Sequence, residues 1–200
     1  MSRKTYASAL EAVLAPMGFI RRVKDYAPHE PQWFRMIGDI QESVGLQRSM
    51  DLGTTCNLWT RDTALTALHQ AAIPWDPQAG TWSVACRIGA LMGDGMTDHW
   101  WKNDPSGPDE VAAAVREHAE GYFARYRTPE DQARNMYGRY TEGRRNPGTA
   151  VALALTLYRL GELDEALRVL EPRAKLTPPD WVRRMDSVQA WLQARRDEVG

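Results

Sequence analysis

The sequence predicts an α+β fold, and three observations carry that prediction. Tyr6, Leu10, Val13, Leu14 and Met17 recur at helical spacing near the start of the chain. Between Trp33 and Trp101 the blocks VGLQRS, CNLW, ACRIG and HWW alternate apolar and polar residues with a period of two, as half-buried strands do. Beyond Gly93-Asp94-Gly95 the helical spacing returns and persists. The expected order is a helix, a mainly antiparallel sheet over about residues 19–92, and a helical C-terminal region. This gives an α+β sheet domain at residues 1–127 and a helical region at 128–200 packed on it.

Each element has its own signal. Pro16 and Gly18 stop the first helix. Phe19–Tyr26 and Trp33–Ile37 read as two strands of a hairpin around the turn-rich APHEPQ. Next, Ile40, Val44 and Leu46 share one parity, and Gln41, Gly45, Gln47 and Ser49 share the other, which faces outward or into a groove. After a turn at Asp51–Gly53, Cys56 and Leu58 oppose Asn57 and Trp59. Thr63–Ala72 reads two ways: Leu65, Leu68 and Ala72 suit a helical face, whereas Thr63-Ala64-Leu65-Thr66 suits a strand end. Pro74 and Pro77 bracket a loop. Trp82, Val84, Cys86 and Ile88 then form a buried strand face, with Ser83, Ala85, Arg87 and Gly89 opposite, so Arg87 is this strand's charge.

Pro108 at a first helical turn precedes Val111, Val115, Ala119, Tyr122 and Tyr126 at helical spacing. Thr128-Pro-Glu-Asp131 has the form of a capping box with Asp in place of Glu, which starts a helix to about Tyr140. GRRNPG reads as a loop. Trp181, Met185, Val188 and Leu192 give the last helix an apolar stripe.

Composition bounds the function. Two hundred residues with 43% hydrophobic and 26% charged side chains bury a core without a metal or disulfide staple. The net charge of -1 lacks the basic surface that phosphate binding needs, so nucleic acid is not the expected partner. Cys56 and Cys86 have no CxxC partner and read as buried, reduced thiols. No run of about 18 apolar residues exists, so no membrane helix is expected, and the N-terminal stretch lacks a signal-peptide core. A bacterial-type cytoplasmic location follows as the expectation.

Gly18-Phe19 after the first helix, the strand with Trp33 and Arg35, Val44-Gly-Leu-Gln-Arg-Ser49, Asn57-Leu58, Cys86-Arg-Ile-Gly89 and Trp100-Trp101 lie in an order and spacing that resemble the bacterial family catalogued as domain of unknown function 4304, over about residues 5–126. The resemblance implies an α+β domain with an antiparallel sheet and brings no activity, cofactor or catalytic residue. Leu153-Ala154, Gly161, Ala166, Leu170 and Pro178 resemble a single tetratricopeptide repeat over about residues 147–178. Pro172 and Arg173 depart from that pattern. A lone repeat needs neighbours, so it is expected between the Pro129–Tyr140 helix and the last helix.

Candidate sites follow from side-chain chemistry. Gln47, Arg48, Asn57 and Arg87 converging on one sheet face would bind a carboxylate or phosphate through the guanidinium, with the amides orienting it. The alternative is that Gln47 and Asn57 satisfy neighbouring backbone groups and Arg87 pairs with a helix carboxylate. Asp98-His99 with Cys56 or Cys86 has the residue types for acyl transfer but no nucleophile turn, and no catalytic residue is assigned. Four histidines without helical pairing make a metal site unexpected, and no cofactor is implied. Eight tryptophans either fill the core or place Trp59, Trp75 and Trp101 in an anchoring patch for a protein partner. The expected function is thus a non-enzymatic protein-binding module, with an immunity protein that neutralises a toxin as one concrete form. The competing reading is an enzyme or small-molecule binder with an anion groove at Arg87 and Gln47. A basic groove of Arg144, Arg145, Arg183 and Arg184 would favour nucleic acid instead.

Overall fold

The computed structural model describes residues 5–22, 31–76, 84–93, 98–102, 104–141, 146–171 and 178–199. The predicted strand end at Tyr26, together with His29, Glu30, Pro77, Trp82, Ser83, Gly95, Arg144, Arg145, Pro172 and Arg173, lies outside them. The chain forms two compact units, Met1–Arg61 with Ser83–Arg125, and Asp62–Trp82 with Tyr126–Gly200.

The first unit is a sheet with helices on one face. Helix α1 spans Tyr6–Leu14, and Thr5 and Ser8 cap its start reciprocally. The strands are β1 (Ile20–Arg21), β2 (Gln32–Ile37), β3 (Ile40–Ser49), β4 (Gly53–Asp62) and β5 (Val84–Arg87), in that order across an antiparallel sheet. Helix α3 (Gly107–Ala124) starts with Pro108 in its first turn and packs on α1. The described strand after Phe19 is only two residues long, and β2 begins one residue before Trp33.

Register decides what each face carries. Trp33 stands opposite Val44 and Arg35 opposite Glu42, so these four share a face. Trp33 is fully buried and donates its Nε1–H to Glu11 of α1 at 2.5 Å. Arg35 lies over Phe19 at 4.5 Å, and its guanidinium meets Glu42 at 2.6 Å and Glu120 of α3 at 2.5 Å. Helices α1 and α3 therefore cover the face carrying Trp33, Val44, Leu46, Cys56 and Leu58, and Phe123, Val111 and Val115 of α3 are fully buried. Each large apolar side chain so buried contributes about 2 kcal/mol.

Past β5, a short 3-10 helix runs over Ile88–Leu91, and the chain returns to bridge β4 through Thr54 and Trp101, with N–H···O distances of 2.9 and 2.8 Å.

The elements of the second unit among the described residues are helices. Its elements are α2 (Thr63–Ala72), α4 (Pro129–Thr141), α5 (Pro147–Arg159), α6 (Leu163–Arg168) and α7 (Pro179–Val199). The reading of Thr63–Ala72 resolves to a helix because the Asp62 carboxylate accepts from the N–H groups of Ala64 and Leu65. At the start of α4 the Thr128 hydroxyl accepts from the Asp131 N–H, which is half of the expected box, and donates to the Asp131 carboxylate in place of the backbone bond that would complete it. The loop read from GRRNPG is shorter than its six residues, since Asn146 caps α5 and Pro147 is its first helical position. Every residue from Gly148 to Leu157 is buried, which makes α5 the central helix of the unit. It packs against α2, α4, α6 and α7, so the helical hairpin α5–α6 does sit between α4 and α7. Met185, Val188 and Leu192 of α7 close this core, whereas Trp181 at the helix's start is only half-buried.

Candidate functional site

With α1 and α3 on one side of the sheet, its other face carries the predicted site. Asn57 of β4 stands opposite Arg87 of β5, and the Asn57 Nδ2–H donates to Gln47 Oε1 of β3 at 3.1 Å. These three are brought together across neighbouring strands, all half-buried. Arg48 is not among them. Successive residues of a strand point to opposite faces, so Arg48 leaves on the side of α1, where its charge acts on the Tyr6 hydroxyl. The sequence placed it with Gln47 by adjacency, and the strand's period of two separates them.

Trp59 lies on the same face as Asn57. Its ring reaches across β3, and a Cβ added at Gly45 would fall 2.6 Å from the indole Cη2 and 3.4 Å from Gln32 Cγ of β2. The indole thus occupies space that only glycine leaves open. On the same face of β3, Gln41 donates to Ser43 at 3.0 Å.

Arg87 does not present a free guanidinium. It pairs with Asp98 at 2.5 Å, and the Trp100 ring lies 5.2 Å beneath it. The Trp100 indole first, and then Arg87, hold the Asp98 carboxyl below the usual carboxylate range. Asp98 and Trp100 are the contributors to this face that sequence reasoning missed: Asp98 was read only with its neighbour His99, and nothing local marks a carboxylate for an arginine eleven residues earlier.

The remaining candidates are dispersed. Trp101 is 4% exposed, packs on His99 at 4.4 Å between ring centroids, and gives its backbone to Thr54, so it is not a surface anchor. Trp75 belongs to the second unit, where it is 39% exposed. Cys56 is fully buried, and that burial pushes its thiol up to about 12, so it holds no thiolate near neutral pH. Cys86 is half-buried and donates its Sγ–H to the Arg87 carbonyl at 3.1 Å. Both cysteines are free. Among the described residues no group of three or more His, Cys, Asp or Glu stands close enough to hold a metal ion, and no helix is long and apolar enough to cross a membrane.

A separate cleft of about 740 Å³ opens along α1 between Thr5 and Arg21, and none of Gln47, Asn57 or Arg87 lines it. No protein-family model, curated protein or solved structure matches the chain.

Proposed function

We propose that this chain is a non-enzymatic protein-binding module whose contact surface is the sheet face carrying Trp59, Gln47, Asn57 and Arg87. One observation carries this reading: on that face the polar side chains are already matched, Gln47 with Asn57 and Arg87 with Asp98, around a half-buried indole. A site evolved to capture a small anion keeps its guanidinium unpaired and recessed in a pocket. A surface of internally paired amides and ions beside an aromatic ring suits a broad, wet protein contact. A bacterial cytoplasmic setting, kinship with the family of unknown function and a toxin-neutralising role belong to the same proposal.

Affinity capture with the wild-type chain and with Trp59→Ser and Arg87→Glu tests it. A partner retained by wild type and lost by both variants, each shown to be folded, supports the reading. Melting wild type and Arg87→Ala against a metabolite and anion library tests the competing class, because a ligand of the native state raises the melting temperature. A shift confined to wild type would replace the protein-binding reading with an anion site at Arg87.

A further inference from the structure

Trp75 of the second unit is held at the surface by its neighbours in the chain. Ile73, two residues before it, is fully buried, and Asp76, immediately after it, is 8% exposed and pairs with Arg184 of α7 at 2.8 Å. Between these anchors the indole donates its Nε1–H to Ser187 Oγ at 3.2 Å, and the Arg183 guanidinium stacks on it 4.0 Å from the ring centroid. The two adjacent arginines therefore differ. Arg184 is neutralised by Asp76 and also covers Trp181 at 4.5 Å, whereas no carboxylate among the described residues pairs with the exposed Arg183. The indole thus backs an exposed guanidinium.

A guanidinium fork set on a tryptophan offers a carboxylate a two-point contact beside an apolar ring, and Trp and Arg are the residue types that dominate binding energy at interfaces. We propose that Trp75 and Arg183 dock an acidic segment of a partner protein, a carboxylate meeting Arg183 and an adjacent apolar side chain resting on Trp75. Charge selects protein over nucleic acid. Asp76 neutralises Arg184, so one arginine of the pair is left without an ion-pair partner among the described residues, and Asp180 and Asp186 beside it oppose a phosphate backbone, which is bound through several cations at once. The proposal rests on the reading of the chain as a protein-binding module but uses a surface on the other unit, independent of Trp59 and Arg87.

The test measures binding of the full chain to a fluorescein-labelled peptide of glutamate and leucine and to its glutamine and leucine counterpart. A charge-assisted hydrogen-bond pair makes the glutamate peptide bind about tenfold tighter. Arg183→Gln, a change at an exposed position, erases that preference; Trp75→Ala weakens both peptides; Arg116→Ala, at an exposed position of α3, changes neither. The proposal is overturned if wild type shows no preference for glutamate, if the preference survives Arg183→Gln, if Arg116→Ala abolishes it, or if a single-stranded oligonucleotide displaces the peptide through Arg183 at lower concentration than free glutamate peptide does.

Discussion

The carboxylate of Asp62 joins two helices that lie far apart in sequence: one oxygen caps α2 through the N–H groups of Ala64 and Leu65, and the other meets the guanidinium of Arg159 at the end of α5. Its side chain is 2% exposed, while that of Arg159 is 25% exposed. Removing the carboxylate therefore strands two helix N–H groups but lets Arg159 turn to water. Asp62→Ala is expected to cost about 2 kcal/mol in urea unfolding, combining a lost cap with a lost partly buried ion pair. Asp62→Asn keeps an oxygen for the cap and is expected to cost about half as much. Equal costs would show that the cap contributes nothing beyond the ion pair.

Arg35 and Glu42 present the sharper electrostatic case, because Glu42 is fully buried and Arg35 only 12% exposed. Arg35→Ala leaves a buried carboxylate without its cation and is expected to cost about 3–5 kcal/mol. Replacing both, as Arg35→Met with Glu42→Leu, is expected to recover most of that loss. Chemical denaturation of the three proteins decides it, and a double variant as unstable as the single one contradicts the account.

At Gly53 the backbone has φ of +105°, and an added Cβ would fall 2.2 Å from the Trp101 carbonyl oxygen. Gly53→Ala is expected to cost about 2–4 kcal/mol, from left-handed strain and from pushing out the backbone that pairs with Thr54. Amide exchange at Thr54 and Trp101 should quicken together. Protection unchanged at both would mean that the bridge does not constrain this segment.

Cys56 links burial to alkaline stability. Its thiol rises from 9.0 to about 12, a protonated form favoured by the fold, so the stabilisation is complete below pH 9 and is lost as pH climbs from 9 to about 12. The slope for this one group is up to about 1.4 kcal/mol per pH unit. Cys56→Ala removes that component, so its stability curve should fall less steeply than wild type's over the same window. In Cys86→Ser, the remaining thiol should resist a thiol reagent at pH 8 until the protein unfolds.

The parts of the fold that were legible in the sequence are those where local chemistry and tertiary packing agree. Tyr6, Leu10 and Val13 announce α1 because the face they form is the face that is buried. The alternation of Ile40, Val44 and Leu46 gave the parity of β3, and from it the company of Gln47 with Asn57. What was hidden depends on distant partners. Nothing near Thr63–Ala72 says that it packs with helices beginning past residue 126, and only the cap at Asp62 separates helix from strand there. Trp101 read either as core or as part of an anchoring patch, because an indole serves both. Its bridge to Thr54, which no local pattern encodes, buries it and leaves Trp100 beneath Arg87.

The second unit is assembled from two stretches of chain, Asp62–Trp82 and Tyr126–Gly200. During synthesis α2 leaves the ribosome with Leu65, Ala72 and Ile73 ready for burial, yet α5, whose Val151–Leu157 face completes their core, has not been made. The nascent protein must carry that apolar surface through the translation of some eighty further residues, a window in which aggregation competes with folding.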